Sequence, residues 1–355
     1  MIFLISSFLS AFLSSHLHRQ RILSMSIVGR RESLGGGTFL HYLLFVTIFP
    51  HLIAGPIINY REMMPQFTRV RNFVVNYRNL SFGLALFVLG LFKKVYIADW
   101  LAPWVAGAFN CTNGLGVIEA WAAALSYTYQ LYFDFSGYSE MAIGLGLMLN
   151  YKFPVNFDSP YQAKSVIDFW RRWHMTLGGW VREYLYIPMG GNRNGECRKL
   201  FNLFLCMAII GLWHGADWTF VFWGALHGVF LVVNHAWRKT RIRLPQALGW
   251  GLTFLCVVVC WVFFRAETFA DGWRVVSAMF GLSAPTSVWD LPVSREKLLR
   301  VLGLLTVVLA WAPNPQRFLE RYFRPSKAWA IVVIVLALVA LTNLTQYSEF
   351  LYFQF

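Results

Sequence analysis

Phe204-Leu-Cys-Met-Ala-Ile-Ile-Gly-Leu-Trp-His-Gly-Ala-Asp-Trp218 decides how the rest of the chain is read. Apolar residues run unbroken from Phe204 to Leu212, and a histidine then stands between Gly211 and Gly215. The run reads as membrane-spanning, and an ionisable group at that depth is costly enough to signal function by default. Glycines on both sides leave room for another backbone or a substrate chain to approach. A neutral imidazole held there is in the form that takes a proton from a hydroxyl. The competing reading is a histidine that ties two helices together by a hydrogen bond. The residues alone support both.

Composition agrees with a membrane setting. The chain has 355 residues, of which 57% are hydrophobic, 18% aromatic and only 14% charged, where soluble domains carry about 25% charged residues. Apolar runs near the ~20 residues needed to cross a bilayer recur along it. The net charge is +14, yet 20 of the 31 Lys and Arg residues fall in four connectors, 59–79, 151–199, 238–247 and 313–327. Such clustering is how cytoplasmic loops are marked, and it argues against nucleic acid as the partner of the basic charge. The five cysteines form neither a CxxC pair nor a Cys/His metal spacing. Cys256 and Cys260, one helical turn apart, are expected to be small buried hydrophobes. No metal and no bound cofactor are expected.

Working outward, residues 1–37 form an atypical N-terminal segment. Its first 15 residues are short for a span and lack the basic leader of a signal peptide. The spans expected next are 39–58, broken by Pro50 and Gly55-Pro56, and 81–98, where Lys93 and Lys94 would snorkel toward the headgroups. The stretch 117–150 is too long for one straight span. It is expected to break at Asp134-Phe-Ser-Gly-Tyr-Ser-Glu140, with both acids lining a cavity or pairing with bases inside the bundle. An interfacial helix is expected at 165–180, a hairpin at 200–236 broken near 211–217, and spans at 248–264, 301–312 and 328–345. An amphipathic piece fits 271–281. Alternating the sides of the basic loops puts 99–116, 266–296 and the C-terminus outside.

Other candidates surround the histidine. Asp217 either orients His214 or caps the helix that follows, and His227 fits a packing role. In Arg171-Arg172-Trp173-His174, the histidine could face a phosphate or pantetheine with Arg171 and Arg172 as anion partners. The residues alone favour an interfacial Trp/Arg belt. The turn Gly190-Gly-Asn-Arg-Asn-Gly195 lacks the Lys-Ser/Thr of a phosphate loop.

Several long motifs, in order, resemble one family. They are Phe49-Pro-His-Leu-Ile-Ala-Gly-Pro-Ile57, Tyr132-Phe-Asp-Phe-Ser-Gly-Tyr-Ser-Glu-Met-Ala-Ile-Gly144, Phe169-Trp-Arg-Arg-Trp-His-Met-Thr-Leu177, Tyr184-Leu-Tyr-Ile-Pro-Met-Gly-Gly-Asn-Arg193, Leu212-Trp-His-Gly215 and the terminal Glu349-Phe-Leu-Tyr-Phe-Gln-Phe355. The chain resembles the membrane-bound O-acyltransferases (MBOAT), in their bacterial alginate O-acetyltransferase branch, over residues 38–355.

The resemblance implies an all-α fold: a polytopic transmembrane bundle with broken and re-entrant helices around a central cavity, here lacking the family's N-terminal helices. It implies one acyltransferase domain over 38–355 in the bacterial inner membrane. His214 maps to the family's catalytic histidine and His174 to its second one, with Arg171, Arg172, Trp213 and Asp217 as substrate-binding candidates. It further implies transfer of an acyl group, expected to be acetyl, from acetyl-CoA or another acyl thioester. The acceptor is a hydroxyl, on alginate or a similar exopolysaccharide, or on a periplasmic partner protein that passes the group on. Membrane lipid is the other partner. Three alternatives stand beside this reading: D-alanyl transfer to teichoic acid, a transporter or export channel with a proton path through Asp134, Glu140 and His214, and an inactive truncated remnant.

Overall fold

The computed structural model describes residues 39–51, 55–109, 114–283, 294–344 and 351. The reading of 1–37, the boundary at 37, Cys111 and most of the terminal motif 349–355 lie outside these. Among the described residues every regular element is helical, as the all-α reading requires. Three helical stretches among them are long and apolar enough to cross a bilayer: Tyr77–Phe109, Trp218–Lys239 and Gln246–Arg265. Arg295–Trp311 and Pro315–Tyr322, bent by 60°, make a fourth if taken as one broken span.

The expected span at 39–58 is not a single helix. Helix α1 covers only Phe39–Thr47, and a 3-10 turn follows at Phe49–His51. Pro50 has no N–H to continue the ladder. The chain past Gly55 is extended until Asn59, whose side chain caps α2, Tyr60–Phe67.

Helix α3, Tyr77–Phe92, is capped by the Asn76 side chain. It runs through a π-helical turn at Lys93–Ala98 into α4, Asp99–Phe109, so much of the connector expected at 99–116 is helical. Antiparallel to it lies α5, Val117–Met148, which at 1.5 Å per residue is about 48 Å long. Here the structure corrects the sequence reading twice. Residues 134–140 are continuous helix, not a break, because lysines meet the cost of the buried acids. Nor do those lysines snorkel: Lys93 Nζ is 2.6 Å from Glu140, and Lys94 Nζ is 2.8 Å from Asp134 and 2.5 Å from Asp99. Gly137 serves close approach instead of unwinding, since a Cβ there would lie 2.6 Å from the Gly90 carbonyl oxygen. Gly83 and Gly144 repeat the contact seven residues along each helix, with a Cβ on either at 2.5 Å from the other's oxygen.

The connector 151–199 folds into short pieces. Helix α6, Val166–Trp170, is capped by Ser165, and α7, Met175–Val181, leads into a π-helical turn at Arg182–Tyr186. The interfacial helix expected over 165–180 is thus two helices with a sharp turn between them. The glycine turn appears as read, with positive φ at Gly190, Gly191 and Gly195. Asn202, fully buried, donates to the Met189 and Gly191 carbonyls and pins that turn to the next helix.

Helices α8, Gly195–His214, and α9, Trp218–Lys239, form the expected hairpin, with the break narrowed to residues 215–217. Glycines make this contact too: a Cβ on Gly224 would press into the Met207 carbonyl and sit 3.1 Å from the Gly211 Cα. Backbone cannot step aside as a side chain can. Gly224→Ala is therefore expected to cost about 1–3 kcal/mol, seen as a lower unfolding temperature in detergent. Gly251→Ala, with nothing within 4 Å of the new Cβ, should be neutral or stabilising by up to about 1 kcal/mol.

Helix α10, Gln246–Arg265, packs its buried face into the main core. Helix α11, Phe269–Met279, is the amphipathic piece, capped by Thr268. Helices α12, Arg295–Trp311, and α13, Pro315–Tyr322, bend at Asn314, whose buried amide donates to the Phe157 carbonyl at 2.8 Å. Helix α14, Lys327–Thr342, buries only Ala340, as a helix facing lipid does. The four described cysteines are free, with Cys206 and Cys260 buried.

Candidate active site

His174 sits in the turn between α6 and α7, and its backbone is left-handed, at φ 41°. A non-glycine residue there stores strain and marks a position worth explaining. The side chain is 4% exposed. Phe135 of α5 meets the ring edge-on at 4.8 Å, and Phe157 lies at 6.3 Å. Nδ1 is 3.0 Å from Asn156 Oδ1. Burial pushes the imidazole down to about 3, so it is neutral at any physiological pH. The Thr176 hydroxyl donates to the same Asn156 oxygen at 2.8 Å and accepts from the Ile57 N–H at 3.0 Å. The Gly-Pro break before α2 thus finds its backbone partner beside this histidine, as broken backbone inside a membrane protein must.

Around the turn, the two arginines differ. Arg172 is committed, donating to Asp168 at 2.9 Å and to the Asp158 carbonyl at 3.2 Å, whereas Arg171 is exposed. Beyond Met175 and Thr176 a cleft of about 640 Å³ opens, lined also by Gly179, Arg182, Glu183 and Tyr184.

His214 is the last residue of α8 and is 7% exposed. Three rings pack edge-on against it: Trp213 at 4.9 Å, Trp223 at 5.2 Å and Phe264 at 5.1 Å. Asp217 occupies the N-cap position of α9, exposed, without a side-chain bond to the helix. The capping reading holds in position only. His227 is fully buried among Phe169, Trp170, Trp223 and Trp261. The Trp170 indole N–H donates to its Nδ1 at 3.3 Å, which leaves the proton on Nε2. That Nε2 and the Trp223 Nε1 are buried without hydrogen-bond partners.

The two candidate histidines stand at the two ends of one run of ring contacts. From His174 it passes through Phe157, Trp173 at 5.1 Å, Trp261 at 4.9 Å and Trp223 at 5.6 Å to His214. Sequence reasoning found both histidines and Trp213 but missed Asn156, Trp223, Trp261 and Phe264. Asn156 lies in Phe153-Pro-Val-Asn-Phe-Asp-Ser-Pro160, which reads as loop. Its only signal is an amide between apolar neighbours.

The sequence profile of the MBOAT, membrane-bound O-acyltransferase family, matches residues 7–269. A peptidoglycan O-acetyltransferase of Helicobacter pylori is 51% identical over 249 residues, 69% of this chain and 47% of that protein. The probable alginate O-acetylase AlgI of Pseudomonas aeruginosa is 44% identical over 288 residues, 80% of this chain and 53% of that protein. More distant is a teichoic acid D-alanyltransferase of Streptococcus thermophilus, 27% identical over 259 residues, 64% of this chain and 61% of that protein. The chain spans about half the length of the first two relatives.

Proposed function

The chain belongs to the membrane-bound O-acyltransferase family, and we propose that it is an O-acetyltransferase of the bacterial inner membrane. In this reading His214 is the general base. Its neutral ring takes the proton of an acceptor hydroxyl as the oxygen attacks the acyl carbonyl, and the thiol of the donor leaves. The donor is acetyl-CoA or a related thioester reaching the site from the cytoplasm. The acceptor is a hydroxyl of an extracytoplasmic polysaccharide or of a protein that carries the acetyl group to one. The relatives support this class and divide over the polymer, since one is named for peptidoglycan and another for alginate. Alginate or a similar exopolysaccharide is the acceptor the sequence motifs favour. His174, Arg171 and the cleft beyond Thr176 form the donor side of the reading, with Arg172 holding the turn in shape.

One observation carries it: His214, 7% exposed, ends helix α8 packed against three rings, in a chain of this family. The test is to express the chain in a strain stripped of its own polymer O-acetylation and to release esters with mild alkali. Acetate from an envelope or secreted polysaccharide is expected. Release of D-alanine from teichoic acid would put the chain in the other branch. Vesicles that move substrate across the membrane while the thioester stays intact would mean a transporter and end the enzyme reading.

A further inference from the structure

Asn156 is 1% exposed, and its amide is saturated in a way that fixes which atom is which. The Thr176 backbone N–H, which can only donate, points at Oδ1 at 3.4 Å. The Thr176 hydroxyl accepts from the Ile57 N–H at 3.0 Å and donates to the same oxygen at 2.8 Å. On the other side Nδ2 donates to Ser139 Oγ of α5 at 3.1 Å. A flipped amide would set the Thr176 backbone N–H, which cannot turn into an acceptor, against an NH₂ group. The atom 3.0 Å from His174 Nδ1 is therefore a carbonyl oxygen, and only a protonated Nδ1 can face it. A neutral ring with its proton on Nδ1 has its lone pair on Nε2.

From this geometry we infer that Asn156 is a positioning residue, holding His174 as the Nδ1–H tautomer and so placing the ring's lone pair on Nε2. The inference rests on the reading that His174 serves acyl transfer. The same contacts account for the strained turn: with Met175 N–H on the Asn156 carbonyl at 2.9 Å and Asp158 N–H on the Arg172 carbonyl at 2.9 Å, the segment 156–158 clamps His174 from both sides. An asparagine also keeps the ring uncharged, which a carboxylate would not. The charged groups on the neighbouring elements are already engaged. Asp134 and Glu140 of α5 hold Lys94 and Lys93, Asp158 holds Arg317, and Arg172 holds Asp168. Phe135 and Phe157 also pack against the ring.

The tautomer is read directly from nitrogen NMR of the full-length protein labelled at histidine, with His174→Gln as the difference. The expected signal is a protonated Nδ1 and a bare Nε2. In Asn156→Asp the ring is expected to take up its second proton at a higher pH than in wild type, followed in the same spectra across a titration. In the transfer assay, Asn156→Ala should lower kcat at least about tenfold with KM little changed. Asn156→Asp should move the acid limb of the pH–rate profile upward by about one unit or more, because the carboxylate stabilises the imidazolium. A merely structural asparagine would move neither the limb nor the tautomer. A wild-type ring protonated on Nε2, or an Asn156→Asp enzyme with an unmoved acid limb, overturns the inference. If Asn156→Ala does not fold, the wild-type spectrum and the near-isosteric Asn156→Asp still decide it. Wild-type protein that transfers acetate but is indifferent to His174→Ala would refute the role of the histidine and leave the His214 reading standing.

Discussion

His214→Ala is expected to lower acyl transfer by roughly 10²–10⁴-fold, the usual worth of a positioned general base, while the protein still inserts and remains folded. The size follows from where the ring sits. It closes the end of α8 against Trp213, Trp223 and Phe264, where a histidine's loss removes the imidazole that the mechanism uses as base. The loss should fall on kcat, with thioester binding nearly unchanged, because the base acts on the acceptor proton in the transition state. Truncation also opens a cavity among the three rings, and that alone could weaken the hairpin. His214→Gln separates the effects: it fills most of the space, restores stability and offers no base. Transfer in His214→Gln within about threefold of wild type would end this mechanism, whatever His214→Ala does.

How much of this was legible in the sequence depended on whether a local pattern or a distant partner set the outcome. The α8–α9 hairpin was readable because two apolar runs flank a glycine-bracketed histidine, and its close contacts are made by those same glycines and by Gly224. The Gly190–Gly195 turn was readable for the same reason. Residues 134–140 were misread because two acids and a glycine in one apolar stretch look like a break when the helix is taken alone. Their partners, Lys94 and Lys93, lie 40 and 47 residues earlier, on a π-helical turn that no propensity indicates. In 39–58 the break was read at Pro50 and Gly55-Pro56, and helix α1 indeed ends ahead of Pro50, whose missing N–H is a purely local signal. In the site, histidine stands out chemically and was found. Asn156 does not, because an asparagine in a Pro-flanked loop is common and its worth comes from meeting Ser139, His174 and Thr176 at once.

Lys93→Met is expected to destabilise the protein by about 3–5 kcal/mol, the cost of leaving a buried charge without its partner. Lys93 Nζ lies 2.6 Å from Glu140 Oε1 and 3.3 Å from Ser136 Oγ, and both members of the pair are shielded, with side chains 6% and 9% exposed. Glu140 Oε2 has no hydrogen-bond partner, so the ammonium is what holds the carboxylate. Glu140→Leu should do similar damage by stranding the lysine beside the Tyr132 ring, 5.5 Å away. The double variant Lys93→Met with Glu140→Leu should recover most of the loss, since an apolar pair of similar volume replaces two desolvated charges. Unfolding temperature in detergent and the fraction of chain recovered from membranes measure the cycle. Its outcome also bears on function. If the ion pair is there to let α5 cross the bilayer unbroken, the rescued double variant transfers acetate about as well as wild type. If these charges carry protons, as the transporter reading requires, the double variant folds but does nothing. Stability regained together with activity therefore places the chemistry with His214 and leaves Lys93 as the means by which one long helix keeps Glu140 buried, as Lys94 does for Asp134.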